Sequence, residues 1–492
     1  MFASGPDGSQ PRSPYWGAVR AVLVIAALAG ACVAVLLATA GDGPRSSARA
    51  QLPATAVTSP PPEHHADPSL KTYVFRVGPF SIGGYQTFRH NDAVKPPPVA
   101  GSIVGMDVRV VDTQGDEVPQ SQLMLHHNVF TNGGPDNKRN DGACPNRAVT
   151  ERFYGSSEEL RPLTLPRGYG YPTDPQDKWK MIWMVMNHRH ERREAYVEYR
   201  VTVDPARLTP VTPYWLSVVP CVSDPQYTVP GGGKPGTVTR RSKTFTMPKA
   251  GRIVAVGGHL HGGSYGLRLT QPACGNRTIA FSDPTYAPAD DPLYRVHPLL
   301  HEPDPKSIDW HQWSDGWAIG RGDKLRVTAT YDASRPHMRV MGISHVYLAA
   351  DKSVPKSCAP PPTKEETLGP GFDGRDGPPS VRLRLAQWRG NGRATVIDRP
   401  GGSFKRLDGD SSVLVDKFSF NPPLVSIPRG ASLTWRFRDS FIHDATVVRG
   451  PRGFATATVR NKNQRYRFTV PGEYKLYCSI HPVLMSQVVK VR

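Results

Sequence analysis

The amino-acid sequence predicts an all-β protein preceded by one hydrophobic helix, and three observations lead there. Short runs rich in Val, Tyr, Thr and Ile, broken by Pro and Gly, recur through residues 72–492, which is the pattern of strands and turns. Gly and Pro number 46 and 50 among 492 residues, a composition that penalises helix interiors and supplies turns. The one strong helical signal is residues 21–40, a stretch without a single charge. Length alone suggests roughly two to four domains.

Residues 21–40 are long enough to span a bilayer, and Arg12 and Arg20 before them fit a positive-inside orientation. The stretch ends in Ala38-Thr39-Ala40 before Gly41, a small-x-small pattern for signal-peptidase cleavage. Residues 1–41 therefore read as a signal peptide or membrane anchor, and the rest of the chain as extracytoplasmic, secreted or held at the membrane by that helix. Ala29 stands three before Cys32, where a lipoprotein signal carries Leu, so lipidation is not expected. Residues 42–70, rich in Pro, Ala and Ser, read as a disordered stalk.

Cys32 lies in the apolar run and Cys478 in a motif described below. Cys144, Cys221, Cys274 and Cys358 remain, an even number that implies two disulfides in an oxidising compartment. Three pairings are open, of which Cys144–Cys221 with Cys274–Cys358 is preferred. The net charge of +19 is uneven, because residues 381–492 hold 20 Lys and Arg against 7 Asp and Glu. A basic soluble surface would account for this, as would an acidic redox partner or an anionic cell envelope. Nucleic acid is not an expected partner of an exported chain that lacks an interleaved aromatic motif.

Metal-ligating residue types recur on the strand-like runs. The run 122–130 carries His126 and His127; neighbours on a strand face opposite sides, so both reach one ion only at a bulge or strand end. The run beginning near Trp179 ends at His188, with His190 beyond it. His126, His127 and His188 together would make an all-nitrogen site suited to copper or zinc. After a break at 205–213 comes Gly257-Gly258-His259-Leu260-His261-Gly262-Gly263, behind the apolar run Ile253-Val254-Ala255-Val256. His259 and His261, two apart on a strand, point one way. The flanking glycines are expected to turn the backbone and leave space above the rings. Met341, in the run 340–347, would add a thioether and make a soft site favouring Cu(I). The plainer reading is surface histidines on turns and a core methionine; recurrence of all these residues in one chain favours metal.

The order His126-His127, His188, His259-x-His261 and Met341 resembles the copper type II monooxygenases, the peptidylglycine α-hydroxylating and dopamine β-monooxygenases. Closer still is the resemblance to a stress-induced, nodulin-like family of that architecture, through Gly78-Pro79-Phe80, Gly83-Gly84-Tyr85, Leu125-His126-His127 and residues 258–263. It covers roughly residues 70–350. The resemblance implies two jelly-roll-like β-sandwiches, residues 71–207 and 208–353, each holding one copper across an open cleft. It implies a relay copper on His126, His127 and His188, and an oxygen-binding, catalytic copper on His259, His261 and Met341. Gly257 stands where the peptide-amidating enzyme has a substrate-binding basic residue, and Ile343 and His345 replace its Asn and Tyr. Peptidylglycine is therefore not the expected substrate, and His190 and His345 could compete for metal.

Residues 354–380, with repeated Pro and Gly, read as a linker, and 381–492 as a third β domain. That domain ends in Cys478-Ser479-Ile480-His481-Pro482-Val483-Leu484-Met485, with His443 upstream. A thiolate, two imidazoles and a weak axial thioether are the blue-copper ligand set. Residues 411–492 resemble the cupredoxins, such as plastocyanin and amicyanin, a Greek-key β-sandwich, and residues 381–410 are expected to add a hairpin.

The sequence thus predicts an exported redox protein binding up to three coppers, a monooxygenase-like module tethered to its own electron-transfer domain. Electrons would enter at Cys478, with an unidentified reductant supplying them and an unidentified small molecule as substrate. The alternative is a non-catalytic copper-binding or copper-handling protein of the cell envelope.

Overall fold

The computed structural model describes residues 69–492, except 146–148, 355–357, 371 and 373, together with the backbone of 55–57. The expected hydrophobic helix and most of the expected stalk lie outside the described residues. Among the described residues no helix is long and apolar enough to cross a membrane. They are all-β as the sequence predicts, and their helical turns are the short 3-10 segments Pro272–Cys274 and Pro292–Arg295.

One sheet runs through both front halves. Its strand order is Thr55–Val57, Lys71–Ile82, Arg193–Asp204, Gly101–Val111, Tyr169–Thr173, Thr209–Ser217, Gly342–Ala350, Gly251–Leu260, Trp310–Ile319 and Glu365–Leu368. The halves join where Thr209–Ser217 lies parallel to Tyr169–Thr173. Two four-stranded sheets cover it. The first comprises Thr87–Val94, Trp179–Asn187, Leu123–Asn132 and Glu151–Ser156; the second comprises Val238–Thr246, Lys324–Asp332, Ser264–Gln271 and Arg277–Ser282.

Period-two burial builds the cores between these layers. On Lys71–Ile82, Tyr73, Phe75 and Val77 point inward, then the phase slips by one to Phe80 and Ile82. The slip falls at Gly78, whose φ of 138° an L side chain rarely adopts, opposite a register shift at Ala195/Val197. Phe75, Val108 and Tyr199 of the long sheet pack against Phe130, Trp179 and Trp183 of the first cover. That core continues into the second half through Val254, Trp310 and Tyr347, and the Tyr347 hydroxyl donates to the Phe153 carbonyl at 2.8 Å. Burying a large apolar side chain contributes about 1.5–3 kcal/mol, so a core of rings crossing the boundary fixes the two halves against each other. The second core sets Leu216, Val256 and Val346 against Leu267, Leu325 and Val327.

Disulfides join Cys144 to Cys221 and Cys274 to Cys358, the preferred pairing, and Cys478 is the free, buried thiol among the described residues.

The expected linker, and the backbone of residues 55–57 in the expected stalk, pair into sheets where their composition suggests irregular chain. Thr55–Val57 extends the long sheet beside Lys71–Ile82. Within 354–380, Glu365–Leu368 pairs with Trp310–Ile319, and Arg375–Asp376 pairs with Pro284–Tyr286. Arg161 donates to the Leu368 and Gly369 carbonyls, and His311 meets Glu365 at 3.0 Å. Pro and Gly signal irregular backbone, but they do not stop the residues between them from completing an exposed sheet edge.

The C-terminal domain is a sandwich of its own. A five-stranded sheet orders Lys405–Arg406, Leu424–Ile427, Ser486–Val491, Gly472–Tyr477 and Thr446–Arg449; a four-stranded sheet orders Ser419–Asn421, Ser411–Asp416, Ser432–Phe437 and Asn463–Arg467. Fully buried Trp435 centres the core and donates its ring N–H to Gln487 at 2.8 Å. The expected hairpin is Ala386–Trp388 with Ala394–Val396. The domain rests on the front module through Arg339 with Asp444 (3.1 Å), the Gly453 N–H with the Pro230 carbonyl (2.7 Å), and the Tyr477 hydroxyl with the Leu300 carbonyl (3.3 Å).

Candidate metal centres

The front histidines converge from both halves. Leu123–Asn132 pairs with Trp179–Asn187, and its register shifts between Leu125 and His127. That bulge breaks the strand's alternation at His126 and His127, whose ring centroids lie 4.3 Å apart. His259 lies near the end of Gly251–Leu260, His261 just beyond it, and their rings stand 5.0 Å apart. The buried Tyr331 hydroxyl accepts the His261 N–H at 2.9 Å and donates to the Met341 carbonyl at 2.5 Å. This fixes the H-x-H corner against the Met341 strand end.

The His127 and His261 Nε2 atoms are 3.1 Å apart. His126, His127 and His261 can bring one ligand atom each within 4.8 Å of one another. The sequence assigned His126 and His127 to one ion and His259 and His261 to another; the fold brings all four rings into one cluster. Met341 is buried against Trp215 and Ile343, on the wall of a cavity of about 380 Å³ that His127, His259 and His345 also line. His188 follows the end of its strand, and its ring lies 6.0 Å from His301.

His301, Glu158, Glu159 and Asp304 were not foreseen. The space left by Gly262 admits them in part. A Cβ there would stand 2.6–2.7 Å from Glu302 and the Pro303 carbonyl, so glycine admits the 301–304 loop. Asp304 then accepts the Gly262 N–H at 2.8 Å. Likewise the Trp310 ring fills the space beside Gly257. The glycines therefore make room for protein, not for open space above the rings. The loop brings Asp304 Oδ2 to 3.0 Å from His261 Nδ1, and His301 Nε2 to 3.1 Å from Glu158 Oε1. Glu158 Oε1 also lies 3.3 Å from His126 Nδ1, and Glu159 Oε1 3.4 Å from His259 Nδ1. His301-Glu302-Pro303-Asp304 does place an imidazole and two carboxylates within four residues, a signal that no strand periodicity accompanied.

Burial sets the electrostatics. Desolvation, reinforced by the neighbouring imidazoles, pushes His127 well below its ordinary value and takes His261 down to about 3. Burial takes His188 to about 3 as well. These rings are neutral at physiological pH and keep lone pairs for a metal. Burial alone would raise Glu158, but His301 and His126 overcome it and hold the carboxyl at about 2. Burial and the Glu158 charge push Asp304 up to about 7.

In the C-terminal domain the fold brings three of the expected ligand residues together. Cys478 Sγ stands 3.7 Å from His481 Nδ1 and 3.9 Å from His443 Nδ1, and all three ligand atoms fall within 4.8 Å. Asp439 Oδ1 lies 2.8 Å from His443 Nε2, and with Nε2–H donating to it Nδ1 is left to face the sulfur. One tight turn carries Cys478 and His481, with the His481 N–H donating to the Cys478 carbonyl at 3.1 Å. Met485 is fully buried in the same core, and its N–H donates to the His481 carbonyl at 3.1 Å. Burial, then Asp444, pushes the Cys478 thiol up.

No family model matches the chain. It is 24% identical over 228 residues to a "Probable copper-dependent oxygenase clz3" of Cochliobolus lunatus, covering 44% of this chain and 66% of that protein. Against a "Probable copper-dependent oxygenase M1" of a Phoma species it is 24% identical over 270 residues, covering 50% and 61%. The chain thus spans about two thirds or less of these fungal relatives. Paracoccus denitrificans amicyanin is 28% identical over 102 residues, which is 20% of this chain and 78% of amicyanin. A solved reduced mutant of amicyanin aligns at 23% identity, TM-score 0.16, over 17% of this chain and 83% of that one. The chain therefore has oxygenase-like and cupredoxin-like parts.

The donor sets fit a first-row transition metal. Both ring nitrogens of buried His188, and Nε2 of buried His259, have no hydrogen-bond partner. Buried polar atoms are nearly always paired, and a metal would complete these. A thiolate with two imidazoles suits a soft or borderline ion.

Proposed function

We propose that the chain is an extracytoplasmic copper redox protein in which a monooxygenase-like module is served by a fused blue-copper domain. The observation that carries this reading is the Cys478–His443–His481 cluster in a domain seated on a second, all-imidazole cluster. His443, Cys478 and His481, with Met485 below them, would hold the electron-transfer copper. His127, His259 and His261, with His126 beside them, would hold copper in the front module, with Met341 at the cavity wall. Copper would supply one-electron redox change at the first and reaction with dioxygen at the second.

The chain's own residues do the rest. Asp439 and Asp304 face the far ring nitrogens of His443 and His261 at 2.8 and 3.0 Å and, as hydrogen-bond acceptors there, would set the tautomers that leave lone pairs inward. Tyr331 holds the H-x-H corner and the Met341 strand together. Trp183, Trp215, Ile343 and Met341 line the 380 Å³ cavity beside His127 and His259 and would suit the apolar part of a small molecule, with Arg89, Arg152 and Asp224 also on its wall. The Tyr477 side-chain hydroxyl, next to Cys478, donates to the carbonyl of Leu300, next to His301, so one side-chain hydrogen bond links the segments that carry the two sites. We read the two front sandwiches as the jelly-roll pair of the resemblance, and the basic C-terminal domain as suited to an acidic electron donor.

Reconstitution with Cu(II) tests this reading. The account predicts an intense thiolate-to-copper absorption, more than one copper per chain, and oxygen uptake with ascorbate. The second reading, copper handling without catalysis, is favoured by Gly257, Ile343 and His345 at positions where the peptide-amidating enzyme binds substrate. It predicts the same copper content with no oxygen uptake.

A further inference from the structure

The rings of the front cluster divide between two cavities. His127 and His259 line the 380 Å³ cavity; His126, His261 and His301 line another, of about 360 Å³, between the front module and the C-terminal domain. On that second side three donors meet. Glu158 Oε1 lies 3.3 Å from His126 Nδ1 and 3.1 Å from His301 Nε2, and the three ligand atoms fall within 4.8 Å. The Glu158 side chain is wholly buried, and His301 keeps 12% exposure on the cavity wall. Asp304 Oδ2 approaches His126 Nδ1 at 3.8 Å, and Met124 Sδ approaches His301 Nε2 at 3.0 Å. Beside His301 stands His188, 2% exposed and without a partner for either ring nitrogen.

Glu158 is met by two imidazoles and by the Asp304 N–H, but the buried His188 ring beside them has neither nitrogen paired, a costly arrangement unless a cation completes it. We propose that His126, Glu158 and His301, with His188 as the adjacent imidazole, form a nitrogen-and-carboxylate site for a divalent first-row ion, separate from an imidazole site on His127, His259 and His261. The bulge at His126/His127 makes the division possible, because it sends adjacent rings to different cavities. Each site then draws ligands from both halves of the front module. The carboxylate makes this site harder than its neighbour, suited to Zn(II), Cu(II) or Fe(II) rather than to Cu(I). The inference rests on the reading of the cluster as metal-binding, but on neither copper nor catalysis.

Full-length protein titrated with Co(II) tests it. The d–d bands report nitrogen and oxygen ligation, and a near-ultraviolet thiolate band marks the Cys478 site separately. Two equivalents without the thiolate band are expected. Glu158→Gln, nearly isosteric, and His301→Gln should each remove one of them, and His259→Ala the other. Should Glu158→Gln fail to fold, His301→Gln at the cavity wall decides. Two equivalents retained by the folded Gln variants would overturn the proposal and leave the cluster reading standing. One equivalent, lost with His261→Ala and unmoved by His301→Gln, would do the same. No binding outside the Cys478 site would overturn both.

Discussion

The C-terminal and front clusters of candidate ligands are built in opposite ways. The C-terminal cluster takes Cys478, His481 and Met485 from one eight-residue stretch and adds His443 from a neighbouring strand. The front cluster takes His126 and His127 from a bulge, His259 and His261 from a strand end in the other half, and His301, Glu158 and Asp304 from loops. A site built on one turn inherits its geometry from local backbone. A site built across a shared sheet inherits it from the packing of two cores. The first should therefore respond to substitution as a self-contained unit, and the second as a network spanning both halves.

Cys478→Ser should give the largest effect, complete loss of the visible thiolate absorption in copper-loaded protein. Copper retained by the front module, measured after gel filtration, should stay at its wild-type value. Loss of front copper as well would show that the clusters are not independent.

Next in size is a double-mutant cycle between His127 and His261, whose Nε2 atoms are 3.1 Å apart. Each Ala variant should weaken one front equivalent by about 10–100-fold or more, the scale of losses even outside the ligand set. The double variant should lose the same equivalent, not a second one. Additive loss of two equivalents would restore the sequence-based division, with His127 on one ion and His261 on the other.

That division shows where the sequence stops being legible. The all-β class, the number of disulfides and the spacing of the Cys478 loop could be read because each rests on period-two alternation, parity or short-range spacing, whereas parity left three pairings open. The bulge at His126/His127 was legible as a condition: two adjacent histidines needed one, and the strand has it. The merging of the halves was not legible, because it depends on Thr209–Ser217 joining Tyr169–Thr173 in parallel, a pairing of residues forty apart with no turn signal. His301 was missed because it sits on an irregular loop after Leu299-Leu300, and only the glycine at 262 makes room for that loop. Residues 365–368 read as linker in the sequence because composition does not reveal that a sheet edge awaits them.

Tyr477→Phe should have a smaller effect, since it removes only the hydroxyl that reaches the Leu300 carbonyl. The blue absorption should be unchanged. Reduction of the front metal by the C-terminal domain, followed by stopped-flow, should slow several-fold. An unchanged rate would place the domains' electronic contact elsewhere, for instance at Thr87 and Ser479.

The mildest expectation concerns pH. Burial would lower His337, but Glu302 at 2.8 Å and Asp332 at 3.5 Å raise it to about 9. A group whose pKa is raised by folding stabilises fully below its unfolded value, near 6.5, and loses that contribution as pH climbs through the folded value. Chemical denaturation should therefore show stability falling between about pH 6.5 and 9, by an amount on the order of 3 kcal/mol at most. His337→Gln should flatten the slope in that window; an equal slope in the variant would assign it to other groups.

The claim that the C-terminal site serves the front cluster is tested most directly by reoxidation. Copper-loaded protein, fully reduced without oxygen, is mixed rapidly with oxygenated buffer while the thiolate absorption is followed. The account predicts that colour returns promptly in the wild type with oxygen consumed, and slowly in His261→Ala, whose C-terminal site is intact but whose front cluster is broken. Equal rates of return in the two proteins would contradict it.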